Sequence, residues 1–283
     1  MSCHAYRFTA ALFLLTTFSS YAHQPHSAQR IISLAPHTTE LACSAGLCDQ
    51  LIAVSEYSDY PEQVKSLEQV ANYQGIKLER ILTLQPDLVI AWPEGNPQRE
   101  LDKLRDLGIP LYISTIHSLD DIARNIEELS AFSTNPQQGQ NAAHHFRQQL
   151  DKLQQQYHHA VPVRYFYQLS HQPLITLGQD GWLSEIFQVC KGENVFAHSK
   201  VPYPQVSTEQ VILAHPEVIF TTGSDHSPSN QTQQWQQWSH AIPAVAQQQI
   251  WSLTSDWSNR PTLRTLQGIQ EICTYLDNAR GNH

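Results

Sequence analysis

The chain has 283 residues, of which 41% are hydrophobic and 15% charged, values typical of a globular protein of one or two domains. It carries 26 acidic and 17 basic residues, a formal net charge of −9. No cluster of Lys and Arg interrupts this acidity, which argues against nucleic acids and anionic membranes as partners, because both attract basic patches.

Residues 1–22 have the composition of a signal peptide. Arg7 precedes an apolar stretch at 8–18, and Ser20-Tyr21-Ala22 places small residues where a signal peptidase reads. Eleven residues are too few to cross a bilayer, so we predict cleavage near Ala22 and export without direct insertion into the membrane. Cleavage removes one basic residue, Arg7, and no acids, which leaves 16 basic against 26 acidic residues and a net charge of −10.

The mature sequence alternates hydrophobic runs with amphipathic segments, which predicts strands alternating with helices in mostly parallel sheets. In the first half, strands are predicted at 29–35, 51–54, 88–92 and 111–113, and helices from Thr38 and at 79–84, 98–107 and 119–132. In the second half, strands are predicted at 163–169, 218–222 and 250–253, and helices at 182–190 and 263–277.

Residues 135–159 lie between the two halves and predict one long helix. Asn135 and Pro136 suit a cap followed by a first-turn proline. About 25 residues at ~1.5 Å each give a rod of roughly 37 Å, long enough to cross a small domain. Apolar side chains recur at intervals of three and four residues, as on one helix face. They are Ala143, Phe146, Leu150, Leu153 and Tyr157.

An internal repeat relates residues 78–90 to residues 208–220, at an offset of 130 residues. In both copies a Glu (Glu79 or Glu209) precedes two aliphatic residues, and a Pro, an acid and three hydrophobic residues follow. Chance similarity of two helix–turn–strand units is one explanation, but two related lobes explain the offset better. We therefore predict an α/β fold with an N-terminal lobe at 23–131, a bridging helix at 132–160 and a C-terminal lobe at 161–283.

Four cysteines remain after cleavage, and an even number in an oxidising compartment favours disulfides. Three pairings are possible, and closeness in sequence together with the two-lobe organisation favours Cys43–Cys48 and Cys190–Cys273. The second pair closes the longer loop and should stabilise more, by ~4 kcal/mol. A metal site is disfavoured because the sequence contains no CxxC or HxxxH pair.

Enzyme motifs are missing from the sequence, which has no nucleophile elbow, phosphate-binding loop, dinucleotide fingerprint or HExxH. Fifteen histidines raise the alternative of a zinc or manganese receptor. However, His144-His145 and His158-His159 would lie about four helical turns apart, ~21 Å, which is too far for one site. Solvent-exposed positions explain these histidines better.

The loops that follow the predicted strands contain many aromatic residues and few charges. Such loops would provide flat apolar walls for a large ring-shaped ligand where the strand ends of the two lobes face each other. A single aromatic residue would need no such explanation, but a cluster does. The candidate residues are Pro36, Tyr57, Tyr73, Trp92, Tyr203, Asp256, Trp257 and Arg260.

Glu79 and Glu209 begin the equivalent helices of the two repeats. A Glu at a helix start ordinarily complements the helix dipole. As a symmetric pair on an acidic protein, these two carboxylates could also dock onto Arg-bearing sites of a two-fold partner.

Several segments together resemble the family of periplasmic vitamin B12-binding proteins, the substrate-binding components of cobalamin ABC importers. The resemblance covers nearly the whole mature chain. The segments are SLAP at 33–36, YSDYP at 57–61, QG at 74–75 with LERI at 78–81, PDLVIAW at 86–92, GEN at 192–194, VPYPQVS at 201–207 and TSDW at 254–257.

The resemblance implies a class III periplasmic binding protein, with two α/β lobes, a rigid bridging helix and little domain closure. It implies a periplasmic location and non-covalent capture of cobalamin in the cleft, with no catalysis, no covalent cofactor and no protein-bound metal. It also implies delivery of cobalamin to a membrane permease dimer with its ATPase subunits. A haem or ferric-siderophore receptor is the alternative, although an anionic siderophore would require several cationic cleft residues and only Arg260 is an obvious one.

The motif match also assigns roles to individual residues. Tyr57 and Trp92 resemble cleft aromatics of the family, and residues 256–260 resemble its corrin-contacting loop. Tyr73 and Tyr203 stand where Trp is expected, and Ser258-Asn259 replaces a more aromatic and acidic pair. The resemblance further makes Glu79 and Glu209 the permease-docking residues and Cys190–Cys273 the family disulfide, whereas Cys43 and Cys48 are not part of the pattern.

Overall fold

The first half of the chain forms a six-stranded sheet with the strand order β4-β3-β2-β1-β5-β6. The computed structural model describes residues 27–179, 181–223 and 233–281. Neighbouring strands are parallel except for the antiparallel pair β3 and β4. The strands are β1 (Ile31–Ser33), β2 (Leu51–Ser55), β3 (Glu68–Asn72), β4 (Gly75–Ile76), β5 (Leu88–Ala91) and β6 (Leu111–Ile113). The helices are α1 (Pro36–Ser44), α2 (Leu78–Leu84), α3 (Gln98–Asp106) and α4 (Leu119–Ser130).

The second half forms a five-stranded sheet in which β7 pairs with β10, and β10 pairs with β11, in parallel. Two short strands, β8 and β9, also pair with β7. The strands are β7 (Val163–Ser170), β8 (Ile175–Thr176), β9 (Gly192–Asn194), β10 (Val218–Gly223) and β11 (Ile250–Thr254). The helices are α6 (Trp182–Gln188), α7 (Thr208–Ala214), α8 (Pro243–Ala246), α9 (Ser255–Ser258) and α10 (Thr265–Arg280).

The predicted bridging helix is present as α5 (Pro136–Gln156) and contacts both halves of the chain. Its N-terminal part approaches α4 so closely that a Cβ on Gly139 would lie 2.6 Å from the Cβ of Ser130. Just past its C-terminal end, the hydroxyl of Tyr157 donates a hydrogen bond of 2.8 Å to Asp277 on α10. The helix therefore connects the two lobes by packing as well as by chain connectivity.

One hydrophobic core runs through both lobes and α5. It includes Leu41 and Ile126 of the N-terminal lobe, Phe146 of α5, and Phe187 and Leu276 of the C-terminal lobe, all of them buried. The outer faces of the two sheets pack into separate clusters of their own. Because the central cluster is shared, the free energy of apolar burial favours one arrangement of the two lobes.

The internal repeat is also a structural repeat. Helices α2 and α7 bury Ile81 and Val211 at matching positions. The following residues, Gln85 and His215, both adopt left-handed backbone angles, with φ of 48° and 45°. The same helix–turn–strand geometry is therefore built twice.

An arginine fixes the end of the repeat helix in each lobe. The guanidinium of Arg30 donates a 2.6 Å hydrogen bond to the carbonyl of Leu84, and Arg164 does the same to Ala214. Each guanidinium thereby satisfies a carbonyl that the helix end leaves without an intrahelical partner.

Both predicted disulfides are confirmed. Cys43 is bonded to Cys48 and Cys190 to Cys273, with Cα atoms 4.1 and 5.2 Å apart. The predicted signal peptide lies outside the described residues. Within residues 27–179, 181–223 and 233–281, no helix has the length and apolarity needed to cross a membrane.

Several details differ from the sequence-based prediction, and three concern helices. Helix α1 begins at Pro36 rather than Thr38, because the proline occupies its first turn. The segment predicted as a loop after β11 contains the one-turn helix α9. The helix predicted at 182–190 is two residues shorter, because α6 ends at Gln188, and β9 begins soon afterwards at Gly192.

Candidate ligand-binding cleft

The predicted site residues follow the carboxyl ends of parallel strands. Pro36 follows β1, Tyr57 follows β2, Trp92 follows β5, and Asp256 follows β11 of the other lobe. Carboxyl ends of parallel strands share one edge of a sheet, which is where α/β proteins bind ligands. Contacts between the lobes, described below, join residues of the two edges.

Trp92 is held in place by three neighbours that sequence reasoning missed. The side chain of Asn96 accepts a 2.7 Å hydrogen bond from the backbone N–H of Trp92 and donates one of 2.9 Å to the carbonyl of Leu34. His37 meets the indole edge-on, with ring centroids 5.0 Å apart. Gly95 lies so close to the indole that a Cβ there would be 2.1 Å from it. The ring is therefore locked before any ligand arrives.

His37 is buried and uncharged. Burial, with a smaller contribution from the positive charge of Arg260, lowers the pKa of His37 from 6.5 to about 3. At neutral pH the imidazole is therefore uncharged, which allows it to pack in a buried position against Trp92.

The loop after β2 presents Tyr57 to solvent. Tyr57 has a φ of 64°, in the left-handed region that a residue with a Cβ rarely adopts, and its side chain is 66% exposed. Buried hydroxyl groups hold this loop, since Ser58 is hydrogen-bonded to Thr39 of α1 at 3.1 Å and to Ser55 at 3.0 Å. Unusual backbone geometry that the surroundings enforce is typical of functional sites.

An ion-pair cluster joins the two lobes beside these aromatics; we define it as Glu40, Asp59, Asp256, Arg260 and Arg264. Arg260 lies 2.6 Å from Asp59, 3.2 Å from Asp256 and 3.5 Å from Glu40. Arg264 donates two hydrogen bonds to Glu40, of 2.9 and 2.6 Å. Glu40 and Asp59 belong to the N-terminal lobe, and the other three residues belong to the C-terminal lobe.

Opposite charges in the cluster stabilise the ionised forms of Asp59 and Arg264. Partial burial raises the pKa of Asp59, but the hydrogen bond and charge of Arg260 outweigh it and leave that pKa below its usual value. Burial lowers the pKa of Arg264, but Glu40 outweighs this and keeps the guanidinium fully charged. Sequence reasoning named Asp256 and Arg260 as site residues but missed Glu40, Asp59 and Arg264.

The segment after β11 is anchored to α10. The backbone N–H of Thr254 donates a 3.0 Å hydrogen bond to Glu271. Ser258 is fully buried and its hydroxyl donates to the carbonyl of Thr254, whereas Asn259 is exposed and accepts a 2.9 Å hydrogen bond from Tyr167. Trp257 is half-buried, with its carbonyl oxygen 2.8 Å from where a Cβ on Gly268 would lie.

Further predicted aromatics remain open to solvent. Tyr73, in the turn between β3 and β4, is 84% exposed, and Tyr203 is 52% exposed. Tyr60, which sequence reasoning did not select, is also exposed, with the guanidinium of Arg264 over its ring at 4.3 Å from the centroid. Tyr60 therefore adjoins the ion-pair cluster from the N-terminal lobe.

Glu79 and Glu209 are both exposed in the first turns of the equivalent helices α2 and α7. A hydrogen bond from the Ser207 hydroxyl lowers the pKa of Glu209, which keeps this carboxylate ionised. The repeat therefore presents one carboxylate on each lobe at a matching position.

Two cavities lie away from the residues just described. One, of about 430 Å³, is lined by Tyr165, Ser184 and Asn194 in the C-terminal lobe. The other, of about 380 Å³, is lined by Leu119, His158 and Glu185. Neither is lined by the predicted aromatics.

Two α/β lobes joined by one long helix, with aromatic loops and charged pairs where they meet, define a two-lobed substrate-binding protein. The sequence matches the family of periplasmic binding proteins over residues 31–257, and the chain belongs to that family. It has the fold of the class III members, with mostly parallel sheets in both lobes.

Relatives with high identity extend over nearly the whole chain. The vitamin B12-binding protein of Vibrio cholerae serotype O1 is 56% identical over 270 residues, which cover 95% of this chain and 96% of that protein. The vitamin B12-binding protein of Yersinia pseudotuberculosis serotype O:1b is 45% identical over 267 residues, which cover 94% and 92%.

Solved structures show the same fold. The crystal structure of the periplasmic vitamin B12 binding protein BtuF of Vibrio cholerae is similar with a TM-score of 0.85 and 57% identity, over 90% of this chain and 99% of that chain. The periplasmic heme binding protein HutB of Vibrio cholerae gives a TM-score of 0.76 at 23% identity, over 88% and 98%. At 23% identity, the similarity to HutB is evidence for the fold alone.

Proposed function

We propose that this chain is an exported periplasmic protein that captures vitamin B12 (cobalamin) between its lobes and delivers it to an inner-membrane ABC transporter. The observation that carries the proposal is the 56% identity, over 95% of the chain, to a protein named for vitamin B12 binding. The exposed aromatic residues in loops that follow the strands support it independently, because a corrin is a large, nearly flat ring.

The aromatic residues provide the apolar contacts in this proposal. Trp92 and Tyr57 pack against the corrin from the N-terminal lobe, and Trp257 and Tyr203 pack from the C-terminal lobe, with Tyr73 at the margin. The indole of Trp92 is already held by its neighbours, so its contact with the ligand costs little conformational entropy.

Polar groups of the C-terminal lobe orient the ligand. Asp256, Asn259 and Arg260 meet the amide groups at the corrin edge, with Pro36 beside them. Ser258, whose hydroxyl is buried, acts by holding the segment in place. Binding is non-covalent, so the protein needs no catalytic group, covalent cofactor or metal of its own.

The charge of the cleft favours cobalamin over an anionic ligand. The cluster contains three carboxylates, those of Glu40, Asp59 and Asp256, against two guanidinium groups, so both cations are already paired. Haem carries two carboxylates and ferric siderophores commonly carry net negative charge, and both would need cations free to receive them. Neutral amide groups need only hydrogen bonds.

Delivery rests on Glu79 and Glu209. Two carboxylates at repeat-related positions, one on each lobe, suit a permease dimer that offers two equivalent basic sites. Both are exposed and lie on helices outside the cleft, so docking and ligand capture can occur together.

The experiment compares Trp92→Ala with the wild-type mature chain, residues 23–283, in binding cyanocobalamin. Loss of a packed indole costs ~1.5–3 kcal/mol, so Kd should rise about 10- to 150-fold. Trp238→Ala is the matched control, because Trp238 is also half-buried but packs in the outer cluster of the C-terminal lobe. Equal Kd values for Trp92→Ala and wild type would contradict the cleft assignment.

A further inference from the structure

A buried ion pair spans the two lobes beside the cleft. Glu40 lies on α1 of the N-terminal lobe with its side chain 3% exposed, and Arg264 immediately precedes α10 with its side chain 14% exposed. The guanidinium meets the carboxylate with two parallel hydrogen bonds, Nε to Oε2 at 2.9 Å and Nη2 to Oε1 at 2.6 Å. These residues are 224 positions apart in the sequence.

Burial of two charges is costly and is offset only by good geometry. For this reason a buried ion pair generally adds little to stability. Its two parallel hydrogen bonds are directional, so they are better suited to holding the two lobes in one relative arrangement. The exposed pair of Arg80 and Glu68 offers a contrast. It has the same two-bond geometry, at 2.7 and 2.8 Å, but lies within one lobe with both side chains more than 40% exposed.

Glu40 also lies between two like charges. Its Oε1 atom is 2.6 Å from Arg264 and 3.5 Å from Arg260, so one carboxylate faces both guanidinium groups. Without this negative charge, the two cations would repel each other, and Arg260 would keep only Asp59 and Asp256 as partners. Glu40 therefore contributes, together with Asp59 and Asp256, to the position of the Arg260 guanidinium.

The lobes also touch elsewhere. The backbone N–H of Leu119, at the start of α4, donates a 2.7 Å hydrogen bond to Glu185 on α6. Beside it, a Cβ on Gly181 would lie 2.4 Å from the carbonyl oxygen of His117. This contact and the Glu40–Arg264 pair hold the lobes at separate places, and α5 connects them.

We propose that Glu40 and Arg264 form an inter-lobe tie that fixes the width of the cleft and positions Arg260, without touching the ligand. The tie sets how long a ligand stays, because its loss lets the C-terminal lobe move away from the bound molecule. Only the effect on cobalamin rests on the proposed function. The effect on lobe spacing does not.

The first test measures lobe spacing without ligand. Spin labels are attached at Asp106→Cys and Asn278→Cys, one exposed position in each lobe. Double electron–electron resonance then measures the distance between the lobes in the mature chain. Glu40→Gln should broaden the distance distribution, and Glu68→Gln should leave it unchanged. A Glu40→Gln protein with native circular dichroism and the wild-type distribution would overturn the proposal, whether or not cobalamin is the ligand.

The second test measures dissociation of cyanocobalamin by stopped flow. Glu40→Gln should release the ligand about tenfold faster with an unchanged association rate, and Glu68→Gln should match wild type. Arg264→Lys keeps the positive charge but cannot make the two parallel hydrogen bonds, so this variant should release the ligand at an intermediate rate. If Glu40→Gln does not fold, Arg264→Lys decides, and wild-type spacing and release in that variant would overturn the tie. If the wild-type chain does not bind cyanocobalamin, the proposed function fails while the spacing test still stands.

Discussion

Acidification should destabilise the protein through His37. In the folded chain this imidazole is buried against Trp92 and near Arg260, and its pKa is lowered to about 3. In the unfolded chain the imidazole titrates near its ordinary pKa of 6.5. Between these two pH values the unfolded state binds a proton that the folded state does not, so the free energy of unfolding falls as the pH falls. The contribution is complete above pH 6.5 and is lost progressively toward pH 3.

The magnitude follows from the two pKa values. At pH 5 the unfolded imidazole is almost fully protonated and the folded one almost fully neutral, so the slope approaches ~1.4 kcal/mol per pH unit. Lowering the pH from 7.5 to 5.0 should therefore cost ~2 kcal/mol through this one residue. That loss is a large part of the ~5–15 kcal/mol that stabilises a typical protein.

Urea unfolding at several pH values between 7.5 and 5.0 measures this effect. Wild type and His37→Gln are compared, because carboxylates and other histidines contribute equally to both and cancel. The difference in unfolding free energy between the two proteins should shrink by ~2 kcal/mol over this range. His145→Gln, at an exposed position on α5, should keep the wild-type slope. Parallel pH dependences for wild type and His37→Gln would refute the account of a buried neutral imidazole.

Two further predictions concern the cleft and the docking face. Gly95→Val should displace the indole of Trp92, because even a Cβ would lie 2.1 Å from that ring. Calorimetry should then show weaker cyanocobalamin binding, by about tenfold or more, with native circular dichroism, and wild-type affinity would contradict the contact. Reversal of both Glu79 and Glu209 to Arg should abolish uptake in a cobalamin-dependent growth assay but leave binding intact. Loss of binding in that double variant would contradict the docking role.

The architecture was predictable because its determinants are local. The continuous hydrophobic run at β5 is buried at every position, as expected for a central strand of a parallel sheet. The spacing of apolar residues on α5 likewise predicted one long helix that buries Ala143, Phe146 and Leu150. Strands β3, β4, β8 and β9 were missed because they carry no strand-like hydrophobic pattern. Backbone pairing with a neighbouring strand creates them, and only the assembled sheet provides that neighbour.

The ion-pair cluster could not be predicted for a related reason. Glu40 has the sequence context of an acid at the start of a helix, which ordinarily complements the helix dipole. Its partner Arg264 comes 224 residues later, and no periodicity connects them. Asp59 stands in the YSDYP motif at 57–61, of which only Tyr57 was selected as a candidate. The aromatic candidates could be proposed from residue type and strand-exit location, whereas a cross-lobe charge pair exists only in the folded chain.

A calorimetric titration of residues 23–283 with cyanocobalamin tests the central claim most directly, with haemin titrated in parallel. The account predicts saturable one-to-one binding of cyanocobalamin with Kd below about 1 μM, ~−8 kcal/mol, and no comparable binding of haemin. Tight binding of haemin with no heat from cyanocobalamin would contradict the account and assign the cleft to a different ring-shaped ligand.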